Sequence, residues 1–159
     1  MIISKKHRFC FIKTHKTAGT SLEIALSRYC GDEDVITPMG GTDESLRRRI
    51  SGRGAQNYRR SVGDLGCLGL LRALRHRHLP ALWNHAPFTE AVEFCSFEGF
   101  PHDYFIFAVE RHPYDKVKSR YFHRKRHEFS GSFDNFCKED LLKKASDWSL
   151  YTQRWSNYC

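Results

Sequence analysis

The sequence contains no apolar run approaching the roughly 18 residues of a membrane-spanning helix, and so no membrane span is expected. Near its start lies only a short apolar stretch, Phe9 to Ile12, less than the about 7–15 residues of a signal-peptide core. With no export signal visible, the expected location is cytoplasmic. Closely paired cysteines are also missing. Cys10, Cys30, Cys67, Cys95, Cys137 and Cys159 are scattered without a CxxC, which argues against a structural zinc site, and no metal is expected. Such thiols are expected to stay reduced, several of them buried as small hydrophobes. Acidic residues are few: 18 Asp and Glu face 26 Lys and Arg, a formal charge of +8. That surplus favours anionic partners without saying which. There is no Walker A loop, GxxxxGK[ST], no internal repeat and no low-complexity tract.

What is present suffices for one domain of 159 residues, since 40% are hydrophobic and 14% aromatic and a core can be buried. Arg8-Phe-Cys-Phe-Ile-Lys13 reads as a buried strand bounded by charge. After a turn-rich segment, Leu22, Ala25, Leu26 and Tyr29 recur at the spacing of an amphipathic helix. Thr20 and Glu23 fit a capping box at its start, and Gly31 lies just past its end. From about 40 to 80 the chain is rich in Arg and Gly, with nine arginines between Arg47 and Arg77 and Asp64 the only acid after Ser45. It reads as an insertion within the domain, with short helices at Glu44–Ile50 and Leu68–Arg77. This stretch serves either as a solvated face or as a binding surface for an anionic acceptor.

Asp103 to Glu110 is the strongest strand signal, aromatic and β-branched with little alternation, as suits a strand covered on both faces in a parallel sheet. Arg111-His-Pro113 ends it. Tyr114 to Lys125 reads as a helix with Pro113 near its start, and a further helix is expected over Phe133 to Ala145. Two strand–loop–helix units with buried strands predict an α/β domain.

The loop His15-Lys-Thr-Ala-Gly-Thr-Ser21 stands between a strand and a helix N-terminus, where free backbone N–H groups and the helix dipole favour an anion. Ala18 and Gly19 allow close approach, Thr17, Thr20 and Ser21 add hydroxyls, and Lys16 adds a mobile charge. By itself the segment is equally an ordinary capped helix start. A second segment, Arg111-His-Pro-Tyr-Asp-Lys-Val-Lys-Ser-Arg-Tyr121, puts Arg111 at the carboxyl end of a strand, where ligands of open α/β sheets bind. Arg111 suits a bidentate phosphate grip, and Ser119 a hydroxyl bond. Lys116, Lys118, Arg120, Arg124 and Lys125 are expected to be mostly a solvated helix face.

Together the two segments resemble the sulfotransferases that use 3′-phosphoadenosine 5′-phosphosulfate (PAPS), especially the branch of carbohydrate O-sulfotransferases and their bacterial relatives. That branch carries a PKTxGTS-like loop after its first strand and an RxPxxRxxSxY-like motif later. Here His15 replaces the usual proline, and Lys116 the usual arginine. The resemblance implies a P-loop-like central parallel sheet flanked by helices. It implies that Lys16, Thr17, Ala18, Gly19, Thr20 and Ser21 hold the 5′-phosphosulfate, and that Arg111 and Ser119 hold the 3′-phosphate. Lys16 would meet the leaving oxygen of the product, adenosine 3′,5′-bisphosphate, and no metal is required. The family fold continues past the second motif, so its C-terminal part is expected to be missing here.

An acceptor hydroxyl needs a base, and histidine suits that work near neutral pH. Of nine histidines, most are expected on the surface. The resemblance points to His85, in Trp83-Asn-His-Ala-Pro87, and gives His15 and His112 no catalytic role; Glu90 or Glu93 would be alternatives. The expected partner is a hydroxyl-bearing acceptor, a carbohydrate or an anionic glycan, with no specific nucleic acid. Two rival readings are a nucleotide kinase-like P-loop protein and a non-catalytic basic module for polyanions or nucleotides.

Overall fold

A short apolar segment, Met1-Ile-Ile-Ser4, precedes the charged run Lys5-Lys-His-Arg8 and pairs back on the strand that follows. In the computed structural model, which describes residues 1–50, 52–61, 63, 70–71, 74, 81–95, 103–127, 129–144 and 147–151, strand β1 (Ile2–Ser4) runs antiparallel to β2 (Phe9–Ile12), with Ile2 opposite Phe11. The hairpin turn is fastened by Asp34, whose carboxylate accepts from Ser4 Oγ at 2.8 Å and from the Lys5 and Lys6 amides at 2.7 and 3.0 Å. β1 also pairs antiparallel with β3 (Val35–Ile36), and β2 pairs parallel with β4 (Phe105–Ala108), giving the order β3-β1-β2-β4.

The protein is thus mixed α/β, with a four-stranded mixed sheet flanked by helices. The expected parallel sheet is corrected: among the described strands only β2 and β4 are parallel. A three-residue strand followed by four polar residues carries too little periodicity to be seen in sequence.

Alternation of side chains across the strands divides the core into two layers. Ile2, Phe11, Ile36 and Cys30 pack on one face, against Leu22 and Leu26 of helix α1 (Gly19–Ser27). Met1, Ile3, Cys10, Ile12 and Val35 pack on the other. There they meet Leu82, Ala86 and the residues Ala91 and Phe94 of α3 (Phe88–Cys95), with Leu150 and Tyr151 of α6 (Trp148–Tyr151) alongside. Between α1 and α3 in the chain comes α2 (Gly41–Arg49). Helices α4 (Pro113–His127) and α5 (Phe133–Lys144) meet through Val117, Tyr121 and Phe136.

Several local expectations change. β4 was expected to be buried on both faces, yet it lies at the edge of the described sheet, with Phe105 69% and Ile106 41% exposed. A continuous apolar run does not by itself distinguish a central strand from an edge strand. The capping box does not form: Ala18 is the N-cap, with no side-chain cap bond, and Glu23 points into the core. Leu22 and Leu26 of the expected stripe do face the sheet, but Tyr29 is exposed and the helix ends at Ser27, before Gly31. Lys116 is buried rather than part of a solvated helix face, and Arg47 is buried, neither solvated nor open to an anionic acceptor. α2 covers the first helix expected in the Arg/Gly-rich stretch, whereas the one at 68–77 lies mostly outside the described residues. Cys10, Cys30, Cys95 and Cys137 are free thiols, and burial pushes Cys10 and Cys30 each up to about 12; Cys67 and Cys159 lie outside the described residues. Among the described residues no helix is long and apolar enough to cross a membrane.

Candidate functional site

The segment leaving the carboxyl end of β2 is anchored first by Lys13. Its side chain is buried, with Nζ 2.9 Å from Glu23 Oε2. Glu23 also receives Arg47 Nη2 at 3.0 Å and the Met1 amine at 3.2 Å through Oε1. One carboxylate on α1 therefore collects three buried nitrogen donors from three separate segments, two of them side-chain cations, while burial pushes the Met1 amine down to about 6. Glu44 takes the second terminal nitrogen of Arg47 at 3.1 Å.

Above this base the loop turns tightly. Thr14 Oγ1 donates to the Val109 carbonyl at the end of β4, which ties the exits of the two parallel strands together. Thr17 is buried, its hydroxyl 2.8 Å from that of Thr14 and bonded to the Thr14 carbonyl. It therefore shapes the loop from inside rather than lining its mouth. Lys16 and Ala18 both adopt the left-handed conformation, with φ of 59° and 61°, at about 1–2 kcal/mol each for a residue with a Cβ. Left-handed residues at alternate positions turn backbone N–H groups toward a common concavity suited to anions. Gly19 is needed for closeness: a Cβ there would lie 2.9 Å from Lys13 Cγ. Ala18 and Ser21 are exposed, and Lys16 and Thr20 are half-buried.

The second segment starts beyond β4. Arg111 is exposed and Ser119 half-buried on α4. Lys16 has its ammonium held below the usual lysine range, by burial first and then by the charges of Arg126, Arg120 and Arg111. His123, also on α4, is lowered chiefly by Lys16. The two motif segments, about 95 residues apart in sequence, thus share one positive field.

His85 sits in the turn at Asn84–His85. Its Nδ1 donates to the Lys13 carbonyl at 2.9 Å, and because a carbonyl only accepts, Nδ1 carries the proton and Nε2 keeps a lone pair. Burial pushes the imidazole down to about 4, with the neighbouring positive groups acting in the same direction and the Lys13 carbonyl opposing them. Trp83 stands edge-on to His85 at 6.4 Å and donates through Nε1 to Glu90 at 2.8 Å. Glu90 is thereby engaged as an acceptor, and both Glu90 and Glu93 are exposed on α3. His112 is exposed beside Tyr114.

Two residues that sequence reasoning set aside or missed complete the site. The His15 ring stacks on His85, with centroids 4.0 Å apart and planes 12° from parallel. His15 Nδ1 lies 2.6 Å from Asp147 Oδ1, and the His15 amide donates to Oδ2 at 2.8 Å. Lys116 Nζ reaches the same carboxylate at 2.7 Å and Glu110 at 2.9 Å. Burial alone would raise Asp147, but the hydrogen bonds from His15 and Lys116 outweigh it and hold the carboxyl well below the usual range. Lys116 is raised by Asp147 and Glu110 against its own burial. No local pattern marks Asp147, which lies 132 residues from its partner.

Of the described arginines in the middle stretch, Arg53 pairs with Asp32, and Arg59 and Arg60 lie over Tyr58 and Phe94. Among the described residues no group of three or more His, Cys, Asp or Glu could hold a metal ion. No family model, no curated protein and no solved structure matches this chain.

Proposed function

We propose that the chain is a P-loop-like sulfotransferase domain that takes PAPS as donor and a hydroxyl-bearing acceptor, a carbohydrate among the candidates. The observation that carries this reading is the convergence of the Lys16 loop with Arg111 and α4. Each segment follows one of two neighbouring parallel strands, and Arg111, Arg120 and Arg126 act together on Lys16. A loop with backbone donors and one lysine fits the 5′ end of the donor. An exposed arginine at the next strand's exit, with Ser119 two turns along α4, fits the 3′-phosphate.

The donor supplies an activated sulfuryl group, and the protein's work is to position and to stabilise charge. Lys16 neutralises the oxygen that leaves with adenosine 3′,5′-bisphosphate. Backbone donors at Thr17 to Ser21 orient the 5′ end. The stacked imidazoles beside the loop offer Nε2 lone pairs for the acceptor's proton, and His85 is the one that the motif resemblance names.

Calorimetric titration with adenosine 3′,5′-bisphosphate, 5′-AMP and ATP tests the reading. The bisphosphate should bind most tightly, and Arg111→Ala should weaken it about 10- to 100-fold, as expected for a charge-assisted contact of roughly 1.5–3 kcal/mol. The same loss on 5′-AMP should be small. Equal, weak and salt-sensitive binding of all three would favour the rival reading, a basic module for polyanions, to which the shared positive field also lends itself.

A further inference from the structure

The two stacked imidazoles, His15 and His85, both stand beside the loop, but their rings are held very differently. His85 is fastened through Nδ1 to a neutral carbonyl, that of Lys13. His15 is fastened through Nδ1 to a buried carboxylate, itself fixed by Lys116 and by the His15 amide. An ionised carboxylate only accepts, so the neutral His15 ring carries its proton on Nδ1 and presents Nε2 as a lone pair. The carboxylate also stabilises the imidazolium that forms when Nε2 takes a proton, whereas the Lys13 carbonyl offers His85 no charge. The titratable groups around His15 are Asp147 ahead of α6, Lys116 on α4, Glu110 after β4, Lys16 beside it, and His85 across the stack.

We infer that His15 is the catalytic base of the site, with Asp147 as the positioning residue that orients its ring and stabilises its charged form. This rests on the sulfuryl-transfer reading. In the step, the acceptor O–H gives its proton to His15 Nε2 as its oxygen bonds to sulfur. The bond from sulfur to the 5′-phosphate oxygen breaks, and adenosine 3′,5′-bisphosphate leaves with that electron pair. Lys116, itself bonded to Glu110, holds Asp147 in place. His85, whose burial keeps it neutral, serves as an uncharged platform that does not repel the new imidazolium. The pairing follows the logic by which a buried carboxylate fixes the tautomer of a general base.

The test uses the whole chain, with water as acceptor. Release of adenosine 3′,5′-bisphosphate from PAPS is followed across pH, beside calorimetric binding of that bisphosphate, for the parent and for His15→Gln, Asp147→Asn and His85→Gln. His15 is 43% exposed, so its replacement leaves the core closed. His15→Gln should lower turnover about 100-fold or more while bisphosphate affinity stays within about threefold of the parent. Without donor, 15N spectra should show His15 as the Nδ1–H tautomer in the parent and as a mixture in Asp147→Asn. A smaller loss in His15→Gln than in His85→Gln, or an unchanged tautomer in Asp147→Asn, would overturn the inference. Bisphosphate binding without any turnover by the parent would also overturn it while sparing the donor site. Absent binding in the parent would instead remove the donor reading on which it rests.

Discussion

His85 stays uncharged because burial disfavours the imidazolium, and that links the fold to pH. Its value falls to about 4 in the folded chain against 6.5 when solvated. Between those two values the unfolded chain binds the extra proton, so folding stability rises with pH from about 4 to 6.5 and is lost as the solution is acidified through that window. Allowing for its partial exposure, the contribution is on the order of 2 kcal/mol. Urea titrations at pH 7 and pH 4.5 should show that difference, and His85→Gln should reduce it; an unchanged difference in the variant would place its origin elsewhere. At this scale the sequence announced the types but not the partners. Thr20 and Glu23 have capping-box spacing, yet Glu23 instead pairs with Lys13 and Arg47 inside the core. Local spacing says nothing about distant charge, and His15, beside a recognisable loop, gains its meaning only from Asp147.

Helix α2 shows how an element's role can invert its composition. Its sequence, Gly-Thr-Asp-Glu-Ser-Leu-Arg-Arg-Arg, reads as solvated. Yet Arg47 lies fully buried between Glu23 and Glu44, and so links the Arg/Gly-rich stretch to the base of the Lys16 loop. Arg47→Ala should destabilise the fold by about 3–5 kcal/mol in denaturant unfolding, the usual loss when one partner of a buried pair is removed. Arg48→Ala, exposed on the same helix, should change stability by less than about 0.5 kcal/mol. Equal effects would contradict the buried role. β2 was legible because charged residues bound its apolar run, and α4 and α5 because their helical runs are long. β1 was not, being three residues long, and β4 was recognised as a strand but not as an edge, since sheet order depends on pairings that sequence periodicity does not encode.

Over the whole molecule, a surplus of eight positive charges is partly drawn inward and partly concentrated where two parallel strands end. The Glu23 cluster takes up Lys13 and Arg47 beneath the loop. The Asp147 and Glu110 carboxylates take up Lys116, and the charges of Arg126, Arg120 and Arg111 all act on Lys16. That each of the two motif segments follows a strand was legible in the sequence. That they meet through the tie from Thr14 to Val109 was not. The measurement that tests this account most directly is a 15N–1H titration of the chain with adenosine 3′,5′-bisphosphate, with 5′-AMP as comparison. The account predicts that amides from Lys16 to Ser21 and from Arg111 to Ser119 shift together along one binding curve, and that the second group moves far less with 5′-AMP. Shifts confined to one segment, or spread alike over every basic surface with both nucleotides, would contradict it.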